Sequence, residues 1–177
     1  MATLRIPQTQ TEIVQPSLIK EFLTSQGIWF DQWQAAQPLA PEAQQEEILS
    51  AYQHLLKPFM QQKGYQTADV VVLHPGLPNL QELHEKFFRE HTHTEDEVRF
   101  FVEGKGYFWF HIDEKNLIFC VCCQAGDLIA VPAGIRHWFD MGKNPYAKVI
   151  RIFSDPQGWI PHYTNSCLEK SYSFHSF

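Results

Sequence analysis

Two imidazoles, a carboxylate and a guanidinium occur within one short stretch of this chain, where they could bind a divalent metal ion. They belong to His91, His93, Glu97 and Arg99. Side chains of an extended strand alternate between its two faces, so His91 and His93 share a face. Glu97 and Arg99 share one for the same reason, and a turn at residues 94–96 would let the two pairs meet. Neutral imidazole and carboxylate are ligands of catalytic divalent metals, so the stretch predicts a metal site. A polar, partly exposed hairpin is the alternative.

A second motif supplies a third imidazole. Residues 126–137 start at Gly126, carry Pro132, Ala133 and Gly134 in the middle, and end at His137. This order predicts a strand, a tight turn and a second strand. The turn would direct His137 back toward the first two imidazoles. The spacing is a moderate signal by itself and a strong one when it follows the first motif.

Helices and then a series of short strands are expected to hold these motifs in place. We expect all 177 residues to form one domain. Residues 1–66 are predicted to be a helical N-terminal part, in which a second helix ends at Gly64. Residues 67–160 consist of short apolar runs separated by turn signals, which is typical of an antiparallel sandwich or barrel and would contain the metal site. Residues 161–177 are predicted to be a C-terminal extension.

Composition and charge exclude several classes of partner. The formal net charge is −6 and no basic run occurs, which argues against nucleic acid and anionic membranes. No segment reaches the roughly 18 apolar residues of a membrane helix, and the N-terminus lacks the apolar stretch of a secretory leader. We therefore expect a cytoplasmic protein, and a monomer. The four cysteines are Cys120, Cys122, Cys123 and Cys167, and the C-x-x-C from Cys120 to Cys123 lies in an apolar run, so its thiols are expected to be small apolar core residues of a strand.

The two motifs together resemble the paired motifs of the cupin superfamily, whose members are small double-sheet β-barrels. Residues 90–100, with the sequence EHTHTEDEVRF, closely resemble the signature of the acireductone dioxygenase family, and residues 150–160 are also similar to that family. The resemblance implies a mainly β fold, namely a cupin double-stranded β-barrel (jelly roll) with the N-terminal helices packed outside. It also implies a metal site with four protein ligands, which are His91, His93, Glu97 and His137.

The resemblance further implies a reaction between a small-molecule acireductone and O₂. The substrate would be 1,2-dihydroxy-5-(methylsulfanyl)pent-1-en-3-one, and the cofactor one Fe²⁺ or Ni²⁺ ion per chain. The Fe²⁺ form would give formate and 4-methylsulfanyl-2-oxobutanoate, the precursor of methionine in methionine salvage. The Ni²⁺ form would give 3-(methylsulfanyl)propanoate, carbon monoxide and formate. Nitrogen and oxygen donors suit iron, nickel, cobalt and manganese alike, so the ligands do not choose the metal.

Three charged residues beside the ligands are candidates for catalysis. Arg99 is expected to stabilise the substrate dianion, because a guanidinium keeps its proton. The alternative for Arg99 is an ion pair with Glu97 or Glu103. Glu90 and Asp96 are expected to orient an imidazole or to attract the metal, and the alternative is solvated surface charge.

Three aromatic residues match family positions that wall the substrate pocket, and two arginines are expected beside them. The predicted pocket consists of Phe87, Arg99, Phe139, Arg151 and Trp159. For the three aromatic residues, the alternative is an ordinary place in the core. Arg151 either assists Arg99 or closes a strand end.

Two other functions compete with a dioxygenase. The first is another metal-dependent cupin, such as a sugar-phosphate isomerase, which would need a basic phosphate site. Only Arg99, Arg136 and Arg151 lie near the motifs, so this support is thin. The second is a non-catalytic ligand-binding cupin module, which would bind a metal or ligand without consuming oxygen.

Overall fold

Strands dominate the computed structural model, which describes residues 1–35, 39–40, 42–155 and 159–173. The eleven strands run in chain order as β1 (Thr3–Ile6), β2 (Thr11–Ile13), β3 (Trp29–Gln32), β4 (Thr67–Leu73), β5 (His91–Thr92), β6 (Glu97–Ile112), β7 (Leu117–Gln124), β8 (Asp127–Val131), β9 (Arg136–Asp140), β10 (Ala147–Phe153) and β11 (His162–Tyr163). The α-helices are α1 (Pro16–Ser25), α2 (Gln45–Lys63) and α3 (Leu80–Phe88). Short 3₁₀ turns occur at Pro7–Thr9, Asp113–Lys115 and Leu168–Lys170. None of the described helices is both long enough and apolar enough to cross a membrane.

The strands form two antiparallel sheets that share β6. One sheet has the order β11-β5-β9-β6-β7-β1-β2, and the other has the order β3-β8-β6-β10-β4. The first half of β6 pairs with β8 and β10, whereas its second half pairs with β7 and β9. Strand β6 therefore turns from one sheet into the other near Gly104, whose φ of +72° few other residues tolerate. The predicted mainly β cupin barrel is confirmed.

The side chains of the two sheets fill the space between them and also pack outward. Inward-facing rings include Phe101, Phe108 and Phe139, all 1% exposed or less. On one outer face, α2 packs against the sheet, where Tyr52 lies 4.7 Å from the ring of Phe100. Helix α2 thus covers a sheet from outside, as expected.

The description of residues 1–66 as helical is incomplete. This part does contain α1 and α2, and α2 ends at Gly64, which has a φ of +78°. It also contributes β1, β2 and β3, and β1 and β3 pair with β7 and β8 of the barrel. Runs of three or four residues are too short to show a clear periodicity. The strands β7 and β8 that pair with them also lie far away in the sequence, so no local pattern indicates the pairing. The C-terminal extension likewise adds β11, which pairs with β5.

The corner of β6 provides a test of this architecture. A Cβ atom on Gly104 would overlap the carbonyl oxygen of Tyr146, whereas a Cβ on Gly64 would meet no atom within 4 Å. Both glycines have positive φ, so Gly64→Ala should cost about 1 kcal/mol of unfolding free energy from conformation alone. We expect Gly104→Ala to cost clearly more, as measured by chemical denaturation. Equal losses for the two variants would contradict the close packing at this corner.

Candidate metal centre

Three short segments bring the four predicted ligands to one point. His91 on β5 lies opposite His137 on β9, and β9 in turn pairs with β6, which begins at Glu97. His93 lies between β5 and β6. One ligand atom of each of the four residues lies within 4.8 Å of all the others. The four side chains are at most 4% exposed, so they form a buried cluster in the barrel.

Backbone carbonyl groups fix the tautomer of all three imidazoles. Nδ1 of His91 donates to the carbonyl oxygen of Arg89 at 2.6 Å. His93 donates in the same way to Ile160 at 2.9 Å. His137 donates to the carbonyl of Ile135 at 2.8 Å. Since a carbonyl oxygen can only accept, Nδ1 carries the proton and Nε2 of each neutral ring holds a lone pair.

The lone pairs of the cluster then face one another. Nε2 of His93 lies 2.8 Å and Nε2 of His137 lies 3.2 Å from the same oxygen, Oε2 of Glu97. Nε2 of His91 is buried and has no hydrogen-bond partner among the described residues. Lone pairs packed this closely need a proton or a cation between them. Three neutral imidazoles and a carboxylate therefore fit a divalent ion such as Fe²⁺, Ni²⁺, Co²⁺ or Mn²⁺.

The electrostatics of the cluster favour the ligand forms of these groups. Burial lowers the pKa of His91 to about 3, so this ring is neutral at pH 7. Burial by itself would raise the pKa of Glu97, but the Arg99 guanidinium beside it holds that pKa well below its usual value. Glu97 is therefore an anion at pH 7.

Arg99 lies directly beside the cluster, inside a wall of aromatic rings. Its Nε is 2.6 Å from Oε1 of Glu97, and the residue is 5% exposed. Its guanidinium carbon lies 4.6 to 5.5 Å from four ring centroids, which are those of Phe139, Trp159, Phe87 and Phe108. The three aromatic residues predicted for the pocket thus converge on Arg99. Phe108 was missed, because alternation along β6 marks it as inward-facing but cannot separate a pocket residue from a core residue.

Of the two ion pairs expected as alternatives for Arg99, only the one with Glu97 is present among the described contacts. Its partner Glu97 is itself one of the four residues of the cluster, so the ion pair places the guanidinium beside the other ligands. Glu103 instead pairs with Lys148 at 3.3 Å and accepts a hydrogen bond from Tyr146.

Arg151 lies next to this wall but is held by another residue. It is directly opposite Arg99 in the pairing of β10 with β6, and opposite Asp69 in the pairing with β4. Its Nε and Nη2 donate to the two carboxylate oxygens of Asp69 at 2.8 and 2.5 Å. Its guanidinium carbon is 5.8 Å from the ring of Trp159. Arg151 therefore borders the pocket while its charge is balanced at the strand pair.

Glu90 has contacts that differ from those expected. It is 2% exposed, but its side chain lies on the strand face opposite His91, as alternation requires. There it contacts Nδ1 of His111 at 3.0 Å and accepts a hydrogen bond from Thr164 at 2.5 Å. Among the described contacts, none joins its carboxylate to an imidazole of the cluster. Glu90 therefore contacts an imidazole outside the cluster, that of His111, instead of a ligand imidazole, and its burial contradicts the alternative of a solvated surface charge.

Asp96 joins the two turns that flank the ligands. Its Oδ1 accepts from the backbone N–H of Ala133 at 3.0 Å, and its Oδ2 accepts from the hydroxyl of Tyr65 at 2.9 Å. Its carbonyl accepts from Nε1 of Trp159 at 3.0 Å. Three separate parts of the chain thus hold the residue that precedes Glu97. Of the family-like stretch 150–160, residues 156–158 lie outside the described residues.

Comparisons with known proteins identify relatives along nearly the whole chain. The family model described as "ARD/ARD′ family" matches residues 5–161. An acireductone dioxygenase of Picosynechococcus sp. (strain ATCC 27264 / PCC 7002 / PR-6) is 54% identical over 172 residues, which cover 97% of each chain. One from Pseudomonas syringae pv. syringae (strain B728a) is 48% identical over 82% of this chain and 80% of its own. A solved structure, an acireductone dioxygenase from Bacillus anthracis with a cadmium ion in its active center, superposes with a TM-score of 0.84 at 34% identity, covering 92% of this chain and 98% of that one.

Removal of one imidazole should abolish metal binding. In His93→Ala the carboxylate of Glu97 loses a neighbour at 2.8 Å and the cluster loses one of four donors. We expect less than about 0.1 metal ion per chain after dialysis, as measured by elemental analysis, because each ligand contributes strongly to affinity. His54→Ala, on the exposed side of α2, serves as the control and should match the wild type. Stoichiometric metal in His93→Ala would remove this residue from the ligand set.

Proposed function

This chain belongs to the ARD/ARD′ family, and from that membership we propose that it oxidises an acireductone with dioxygen at a single divalent metal ion. The proposed substrate is 1,2-dihydroxy-5-(methylsulfanyl)pent-1-en-3-one. The observation that carries the proposal is the buried cluster of His91, His93, Glu97 and His137 with Arg99 beside it. When bound, the metal ion supplies a Lewis acid for the two neighbouring oxygens of the enediolate.

The three imidazoles are proposed to hold the metal in a fixed geometry. Their Nδ1–H groups are anchored on backbone carbonyls, so the rings cannot rotate without breaking a hydrogen bond. A ligand set fixed in this way needs little reorganisation during the reaction. Glu97 supplies negative charge, which favours a divalent cation over water in a buried site.

Arg99 is proposed to balance the charge of the substrate dianion. A dianion is costly to bring into a buried pocket unless a positive charge meets it there. The guanidinium of Arg99 is such a charge, and the rings of Phe87, Phe139 and Trp159 around it keep water out. Their apolar surface also suits the methylsulfanyl tail of the substrate. Arg151 and Asp96 border this region, and we propose that they position it rather than react.

The product set is proposed to depend on the metal. With Fe²⁺, one substrate and one O₂ give formate and 4-methylsulfanyl-2-oxobutanoate, as methionine salvage requires. With Ni²⁺, the same reactants give 3-(methylsulfanyl)propanoate, carbon monoxide and formate. Both sets account for every atom of substrate and O₂. We propose a cytoplasmic monomer with one ion per chain.

The charge pattern disfavours a sugar-phosphate isomerase. That reaction needs a group of cations to receive a phosphate. The three arginines near the motifs each pair with a carboxylate: Arg99 with Glu97, Arg151 with Asp69, and Arg136 with Asp113 at 3.2 Å. Only Arg99 has a partner that belongs to the metal-binding cluster, and a single cation at that place suits a dianion bound at the metal better than a phosphate group.

Oxygen uptake tests the proposed reaction. We expect protein reconstituted with Fe²⁺ or Ni²⁺ to consume about one O₂ per acireductone, as measured with an oxygen electrode, and product analysis by NMR to give the two sets described above. Turnover without oxygen would instead indicate an isomerase. Bound metal without any oxygen uptake would indicate a binding module.

Substitution of Arg99 tests its role separately from metal binding. We expect Arg99→Ala to keep about one metal ion per chain and to lose turnover by about 100-fold or more, because a fixed charge near the reacting atoms is absent. Arg99→Lys should recover part of the rate, since its charge remains without the planar fork. The matched control is Arg5→Ala, which also breaks an arginine–carboxylate pair, with Glu12, but at the surface. Normal oxidation by Arg99→Ala would exclude Arg99 from the mechanism.

A further inference from the structure

The turn that precedes Glu97 is held from outside the barrel by a phenol. We propose that Tyr65 is a positioning residue of the metal centre, which acts through Asp96 and without contact to ligands or substrate. The inference rests on the proposed metal site. It concerns a residue that follows α2, far from both metal-binding motifs in the sequence.

Asp96 connects the two turns on which the metal ligands depend. Its Oδ1 accepts from Ala133, in the turn that leads to His137. In the same place the backbone N–H of Gly134 donates to the carbonyl oxygen of His93 at 2.9 Å. The Asp96 carboxylate and the His93 carbonyl thus tie the first motif to the second. A change in the orientation of Asp96 would therefore move both motifs relative to each other.

Tyr65 holds the second oxygen of this carboxylate. Its hydroxyl donates to Oδ2 of Asp96 at 2.9 Å. The ring is 9% exposed and lies 5.6 Å from the ring of Phe59, within the layer that packs α2 on the outer face of the sheet. The backbone N–H of Tyr65 donates to the carbonyl of Met60 at 3.0 Å. The phenol is therefore a rigid support anchored in a different layer from the metal ligands.

Packing alone does not fix Asp96, because open space lies next to it. A cavity of about 310 Å³ is lined by both Tyr65 and Asp96, and also by Lys20, Lys63 and Trp29. Without the hydroxyl of Tyr65, the N–H of Ala133 would be the remaining described hydrogen bond to the carboxylate, and Oδ2 would turn toward this cavity and its two lysines. Asp96 is bonded directly to Glu97, whose Oε2 lies among the imidazoles. Metal–ligand distances tolerate only a few tenths of an ångström, so such a rotation would alter the site.

A purely structural role is the competing explanation, since Tyr65 also contributes to the core around α2. This role predicts lower thermal stability with an unchanged metal site. The two explanations therefore differ in the spectrum and the release rate of the bound metal, which a loss of core packing elsewhere would not change.

The test compares Tyr65→Phe with Tyr52→Phe in full-length protein loaded with Co²⁺. Tyr52 is 6% exposed and belongs to the same core layer, but its hydroxyl makes no described contact with Asp96. We expect Tyr65→Phe to change the visible Co²⁺ absorption bands and to release Co²⁺ to a chelator about 10-fold faster, which is the usual size of an effect from a residue behind a metal ligand. Tyr52→Phe should match the wild type in both measurements.

A double variant shows whether Tyr65 acts through Asp96. Asp96→Asn should give a release rate at least as fast as that of Tyr65→Phe. If Asp96 transmits the effect, Tyr65→Phe combined with Asp96→Asn should release Co²⁺ no faster than Asp96→Asn alone. If the double variant instead releases Co²⁺ faster by the product of the two single effects, Tyr65 does not act through Asp96 and the inference is overturned.

Other outcomes are equally decisive. Wild-type Co²⁺ bands and release in Tyr65→Phe, with only a lower melting temperature, would overturn the inference. If the wild type binds Co²⁺ but its Fe²⁺ form consumes no oxygen with acireductone, the proposed function fails, and the Co²⁺ measurements still decide the role of Tyr65. If the wild type does not bind Co²⁺, the metal site and the inference both fail.

Discussion

Three hydrogen bonds from imidazole Nδ1–H groups to backbone carbonyls determine what the centre of this barrel can do. They place the Nε2 lone pairs of His91, His93 and His137 toward the carboxylate of Glu97. Buried lone pairs cannot remain in contact without a positive charge between them. The backbone thus arranges the donor atoms so that a cation at this point is stabilised. Because the carbonyl groups come from three different segments, this arrangement of lone pairs forms only when the barrel is fully folded.

Strand β6 connects this cation site to both sheets of the fold. It starts with Glu97, presents Arg99 two residues later, turns at Gly104 and continues into the second sheet. Its first half thus supplies a ligand and a positive charge, while its second half pairs with β9, which carries His137. One continuous strand consequently fixes the distance between the ligand set and the charge beside it.

The two arginine–carboxylate pairs of this region differ in how deeply they are buried. Arg99 pairs with Glu97 at the bottom of the aromatic wall, where both are almost fully buried. Arg151 is adjacent in the strand pairing but is neutralised by Asp69, closer to the surface. A buried ion pair contributes little net stability, because desolvation offsets the attraction. The Arg99–Glu97 pair is therefore better explained by what it can bind than by what it adds to folding.

The sequence by itself determined the ligand types, the alternation that puts His91 and His93 on one face, and the second motif that brings back His137. It also determined the mainly β class, since turn signals and short apolar runs are local features. Only the tertiary structure decided which neighbours take part. Glu90 follows the same alternation to the opposite face, where His111 and Thr164 receive it. Phe108 lies against Arg99 and Tyr65 donates to Asp96 from positions that look like ordinary core, and β1 and β3 are completed by pairing with β7 and β8, which lie far away in the sequence. The physical reason is that local pattern fixes the face on which a side chain lies, whereas the strand pairings and packed layers formed in the fold decide what that face meets.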